Sequence, residues 1–183
     1  MIEIVPIYFA GRRGLADAIA AAIGRTFGCE VQPRPAWFDP EVSFDPAHGQ
    51  YSSTLLLAHL LTDPHQPAAR VLGVAGVDLF IPVLTWVFGE AQLEGRAAVV
   101  STYRLRNDLY GLPADERLLA ARLEKEAIHE LGHTYGLVHC ADPVCVMRAS
   151  TYVEEIDLKT AAFCATCQQA IEGTSYSSSH SRR

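Results

Sequence analysis

Residues 129 to 139 read HELGHTYGLVH, and the spacing of their three histidines limits how the chain can run. His129 and His133 stand four apart, so on a helix both imidazoles project from one face. On an unbroken helix His139 would lie about 15 Å from His129 along the axis, at roughly 1.5 Å per residue. Side chains that share one zinc, at bonds of about 2.0 Å, must approach within roughly 4 Å of each other. The helix must therefore end after His133 and the chain must double back. Gly136 tolerates the positive φ that such a turn needs. A fold carrying this segment has to present the end of a helix to an open space, with a returning loop beside it.

Glu130 follows His129 directly, near enough to hydrogen-bond a water on the metal without ligating the metal itself. Three imidazoles leave a fourth position open, and zinc in such a site lowers the pKa of its water to about 7. Glu130 can then take the proton while the hydroxide attacks a carbonyl polarised by the same ion. Cysteines follow in two close pairs, Cys140 with Cys145 and Cys164 with Cys167. Neighbours in an extended segment point to opposite sides, so a chain that aims His139 at the first ion aims Cys140 away from it. Two such pairs are the usual ligand set of a closed, four-thiolate structural zinc site. The segment thus predicts two zinc ions per chain, one in an open histidine site and one pinning the last helix to the loop before it. A redox role for Cys164 and Cys167 alone would leave Cys140 and Cys145 unexplained. Cys29 stands apart and reads as a buried structural thiol, while His48, His59, His65 and His180 have no ligand spacing.

The chain of 183 residues as a whole is ordinary for one globular domain, at 49% hydrophobic and 20% charged with a net charge of -6. No block of Lys and Arg could track a phosphate backbone, which argues against nucleic acid. No stretch approaches the roughly 20 apolar residues of a membrane span. MIEIVPIYF at the start reads as a first strand rather than a secretory signal, and the chain is expected to be cytoplasmic and monomeric. Leu15, Ile19, Ile23 and Phe27 predict a helix over 12–28 with Gly28 as its stop. A second helix is expected over 50–63. Apolar runs from 70 onward and over 97–105 predict strands, with an extended piece over 86–93 and a turn at Glu94-Gly95. The helix bearing the histidines is expected from Pro113 to about Tyr135. Leu119, Leu123, Ala127 and Leu131 form its core-facing stripe, and Arg122, Lys125 and Glu126 a polar face, solvated by default. One last helix is expected over 157–171, and 173–183 as a disordered polar tail.

HELGHTYGLVHCADPVCVM and FCATC together resemble the signature of the archaemetzincins, a family of metzincin zinc metalloproteases. The resemblance implies that His129, His133 and His139 hold the catalytic zinc, that Glu130 is the general base and that Gly136 makes the turn. It further implies that Met147 forms a methionine turn under the metal and that Cys140, Cys145, Cys164 and Cys167 hold the second zinc. The fold it implies is α/β (α+β), of the metzincin-like zincin type, over residues 1–172. That fold has a small twisted mixed sheet with an antiparallel edge strand, packed helices and an active-site helix ending at the Gly turn. An N-terminal subdomain (1–136) would precede a small zinc-stapled one (137–172). Segment 86–93 is the candidate edge, along which a peptide would lie by strand addition.

The implied activity is zinc-dependent hydrolysis of a peptide or small protein substrate through a zinc-bound water. The alternative is a catalytically silent protein that holds a peptide or partner in the same cleft. With the first strand at its start, the chain is expected to lack an inhibitory propeptide. Tyr152 is a further candidate for stabilising an oxyanion, against a default of simple packing.

Overall fold

The computed structural model describes residues 1–9, 13–62 and 70–180. Its elements are β1 (Ile2–Ile7), α1 (Arg13–Phe27), β2 (Val31–Pro33), β3 (Phe44–Asp45), β4 (Gln50–Ser52), α2 (Ser53–Leu61), β5 (Arg70–Ala75), β6 (Leu79–Ile81), β7 (Leu84–Val87), β8 (Gly89–Ala91), β9 (Ala97–Ser101), α3 (Glu116–Thr134), α4 (Val153–Leu158) and α5 (Ala165–His180). A five-stranded sheet in the order β2-β1-β5-β9-β8 forms the centre. Its first four strands are parallel, and β8 runs antiparallel to β9 at the edge.

Alternation of side chains assigns the two faces of this sheet. Ile2, Ile4, Leu72, Val74, Ala98 and Val100 meet Ile19 and Ile23 of α1 and Leu119, Leu123, Ala127 and Leu131 of α3. Val5, Ile7, Val71, Ala75, Ala97 and Val99 meet Leu56, Leu57 and Leu60 of α2 on the other side. Strands covered on both faces need continuous apolar runs, which is what β5 and β9 have. Each fully buried Leu or Ile contributes roughly 1.5–3 kcal/mol relative to exposure. Glu3, which breaks the apolar run of β1, is 5% exposed and accepts from Arg34 Nη1 at 2.9 Å.

Several elements differ from their sequence expectation. Residues 50–52 pair as β4, so α2 begins at Ser53, with Ser52 Oγ accepting from Leu55 N. The apolar run from 70 breaks into β5 and β6, and 86–93 divides between β7 and β8. β6 and β7 join β3 and β4 in a second, four-stranded sheet that periodicity gave no reason to separate. Asp115, not Pro113, starts α3, because its carboxylate accepts from the N–H groups of Arg117 and Leu118. The final helix is two helices, and α5 continues past 171 to His180, since extending a formed helix adds a hydrogen bond for each residue fixed.

The polar face of α3 is not solvated, because α4 covers it. Arg122 is 4% exposed and donates to Leu105 O, Asn107 Oδ1 and both oxygens of Asp157. Lys125 Nζ donates to Ile156 O, and Glu126 pairs with Lys159. Nothing in the structure explains Glu124. Cys29 is partly buried against the first core. His48 stacks on Phe80 and pairs with Asp45, His59 stacks on Phe38, and His65 lies outside the described residues. Residues after Gly136 build a small core of their own, in which Leu137, Cys145, Val146, Met147, Cys167 and Ile171 close around Ile128 of α3. Among the described residues no helix is long and apolar enough to cross a membrane.

Candidate active site

α3 ends where the histidine spacing requires. Gly136 has φ +90°, its N–H donates to His133 O at 2.9 Å, and the Leu137 N–H donates to Gly132 O at 3.2 Å. This pair of bonds is a Schellman cap, which satisfies the last carbonyls and reverses the chain. The Glu94 N–H, from the turn after β8, also reaches His133 O, at 3.0 Å. Beyond the cap the chain returns and sets the His139 ring 5.3 Å from that of His129 and 5.1 Å from that of His133. One ring nitrogen from each of the three lies within 4.8 Å of the others.

The hydrogen bonds around these rings determine which nitrogens are free. His129 Nδ1 lies 2.8 Å from Val146 O, and His133 Nδ1 lies 2.7 Å from Leu137 O. A carbonyl only accepts, so each Nδ1 carries the proton and each Nε2 presents a lone pair. Those two Nε2 atoms are 3.1 Å apart. Lone pairs facing at that distance repel unless a cation sits near both, so the donor set fits zinc. Burial lowers the pKa of both imidazoles and keeps them neutral.

Glu130 is 6% exposed and stands beside these rings. Burial raises its pKa well above the usual carboxylate range, the charges of Glu126 and Glu90 raise it further, and Lys159 pulls it partly back. The edge strand β8 approaches it at very close range. A Cβ on Gly89 would stand 2.7 Å from Glu130 Cγ and Oε1 and 2.5 Å from Val99 O. Two cavities flank the group. One, of about 430 Å³, runs from Leu84–Gly89 to Ala149–Tyr152, and the other, of about 350 Å³, is bounded by Ala91, Leu93 and Val138.

The four cysteines of the two pairs also come together, their sulfurs within 4.8 Å of one another and none in a disulfide. Cys140 Sγ and Cys164 Sγ are 3.8 Å apart, and the Cys164 N–H donates to Cys145 Sγ at 3.3 Å. Hydrogen bonding from the Cys167 backbone lowers the Cys164 thiol to about 7, while burial raises Cys145. Burial raises the Cys167 thiol as well, and it is the closeness of the four sulfurs that fits one tetrahedral zinc. The Cys140 N–H donates to Met147 O at 2.9 Å, tying the start of this cluster to the methionine. Met147 is fully buried, and its Sδ would lie 2.5 Å from a Cβ at Gly132. Tyr152 is 64% exposed at the rim of the larger cavity, its backbone N–H held by the Glu155 carboxylate.

The model of peptidase family M54 matches residues 67–173. The archaemetzincin of Methanocaldococcus jannaschii is 41% identical over 151 residues, which are 81% of this chain and 80% of that one. The chain belongs to peptidase family M54. As an M54 protein it is a zinc metallopeptidase. The crystal structure of archaemetzincin from Methanopyrus kandleri matches this M54 chain with a TM-score of 0.84 and 34% identity, covering 96% of each. That of a zinc-dependent peptidase from Methanocorpusculum labreanum matches with a TM-score of 0.81 and 26% identity, covering 93% of this chain and 100% of that one. The metzincin-like mixed fold expected from the sequence is the fold observed.

Sequence reasoning missed four features of the M54 site. Gly89 and Gly132 each have a neighbour standing where a side chain would go, and neither was singled out in the sequence. The Glu94 amide and the Glu126–Lys159 pair join residues distant in the chain, and no local pattern signals them.

Proposed function

We propose that His129, His133 and His139 hold the catalytic zinc of this peptidase, that Glu130 is its general base, and that Cys140, Cys145, Cys164 and Cys167 hold a second, structural zinc. The observation that carries the reading is the pair of Nε2 lone pairs 3.1 Å apart, beside a carboxylate buried between two cavities. Zinc held by these histidines would supply Lewis acidity, acidifying water and polarising a carbonyl. Glu130 accepts the proton of the attacking water and passes it to the departing amine. The backbone carbonyls of Val146 and Leu137 hold the imidazoles in the required tautomer. β8 offers its free edge to an extended peptide, whose backbone pairs with Gly89–Ala91 and passes over Glu130. Residues 137–172 act as a stapled subdomain that fixes His139 and Met147 against α3.

The test is mass-spectrometric analysis of a peptide library incubated with zinc-loaded wild type and with Glu130→Ala, alongside zinc analysis of both. Cleavage by wild type alone, with two zinc ions in each protein, is the expected result. Equal cleavage by both proteins would remove Glu130 as base, and a single zinc in intact protein would sink the two-site reading. Tight peptide binding with no turnover would favour the silent binding protein instead.

A further inference from the structure

The four clustered cysteines are not equally reachable. Cys145 and Cys167 are 1% and 8% exposed, inside the small core with Val146, Met147 and Ile171, whereas Cys140 and Cys164 are only partly buried at its margin. These outer two also stand together, with Cys140 Sγ 3.8 Å from Cys164 Sγ. A disulfide bond is about 2.0 Å long, so an approach of roughly 1.8 Å joins them. A reagent arriving from solvent meets this pair first. The Cys164-x-x-Cys167 spacing suggests a different redox pair, but its second member lies in the core.

The segment that carries Cys140 and Cys145 also orients two of the histidines. Cys140 follows His139 directly, and its N–H donates to Met147 O at 2.9 Å. Cys145 precedes Val146, whose carbonyl lies 2.8 Å from His129 Nδ1 and whose N–H donates to Ala162 O at 3.0 Å. Drawing Cys140 toward Cys164 therefore moves the backbone on which His139 stands. It also pulls on the Met147 carbonyl, next in the chain to the carbonyl that holds His129.

We infer that Cys140 and Cys164 are an oxidation site, joined as a disulfide by a peroxide, and that this modification empties the four-sulfur site and loosens the hold of the histidines on their ion. The inference rests on the two-site reading above and adds a control on it. One of the two thiolates attacks a peroxide oxygen, breaking the O–O bond, releasing hydroxide and leaving its own sulfur as a sulfenic acid. The second thiolate displaces hydroxide from that sulfur and forms the S–S bond. Two electrons pass from the sulfurs to the peroxide, and both of its oxygens end as hydroxide, which takes up protons to give water. With two of four thiolates lost, the remaining pair is too few for a closed tetrahedral site.

The experiment treats the zinc-loaded wild-type chain with hydrogen peroxide. Zinc release is followed with a chromophoric chelator, disulfides by mass spectrometry of unreduced fragments, and affinity for the retained ion by chelator competition. The expected result is release of one of two zinc ions and a disulfide between Cys140 and Cys164, with Cys145 and Cys167 still open to alkylation. The retained ion should be held about tenfold more weakly than the histidine ion of untreated protein, the scale of a disturbed partner behind a metal ligand. A thiol reductant with added zinc should restore both ions. A disulfide between Cys164 and Cys167, two ions retained under excess peroxide, or an unchanged affinity once the disulfide has formed overturns the inference and leaves the two-site reading standing. A single ion per chain before any peroxide removes that reading, and the inference with it.

Discussion

Gly89→Ala tests whether the edge strand positions Glu130, the proposed base. The new Cβ would stand 2.7 Å from Glu130 Oε1 and 2.5 Å from Val99 O. A normal contact is about 3.5 Å, so relief requires shifts of roughly 0.8 Å at Glu130 and 1.0 Å at Val99. The second cannot be absorbed by a flexible side chain, because Val99 O is backbone of the neighbouring strand in the middle of the fold. Overpacking of this kind costs about 1–3 kcal/mol of stability, and misplacing a catalytic group by about 1 Å costs on the order of 10²-fold in rate. We expect kcat/KM to fall by roughly 10- to 100-fold, with zinc retained at the histidines. Gly14→Ala is the control. Gly14 is exposed in α1 with nothing within 4 Å of a Cβ, so alanine there adds at most about 1 kcal/mol of stability and leaves activity alone. The assay is peptide cleavage with active-site zinc quantified and denaturation followed in parallel. If Gly89→Ala cleaves within twofold of wild type at unchanged stability, the close approach of β8 is not what holds Glu130, and the reasoning fails.

Lys159→Met leaves the Glu126 carboxylate buried without its counter-charge, the two side chains being 1% and 4% exposed. We expect a loss of about 3–5 kcal/mol in chemical denaturation, partly recovered by adding Glu126→Gln; a loss under about 1 kcal/mol would mean the pair is not buried as described. Cys164→Ser should release one of two zinc ions and loosen residues 137–172, seen as faster amide exchange there than in α1 or β5. Uniform exchange across the chain, or two zinc ions still bound, would contradict the structural role of the second metal.

Much of this protein was legible in its sequence for a physical reason. Residues able to ligate a metal are few in kind and need fixed spacing, so the pattern of His129, His133, Gly136 and His139 encodes a helix, its end and a return of the chain without any knowledge of the rest. The same holds for the stripe Leu119, Leu123, Ala127 and Leu131, whose helical period is local. β5 and β9, and β1 apart from Glu3, were visible because strands buried on both faces are mostly apolar.

What the sequence left open depended on contacts between distant residues. Segment 86–93 looked like one extended piece, yet β7 and β8 go to different sheets, because pairing with β6 or β9 decides the matter. Arg122, Lys125 and Glu126 looked like a solvated face until α4 folded over them and supplied Asp157, and with Lys159 just beyond α4 they became a buried network. A charged side chain carries no sign of its own burial; only its partner does. Gly89 and Lys159 belong to the same class. The sequence by itself determined the set of side chains able to hold a metal and the turn that gathers the histidines, since both are matters of spacing along one segment. Tertiary structure alone decided where Glu130 is held, what lines the cavity beside it and which charges are cancelled, since those depend on side chains that meet only when the chain has folded.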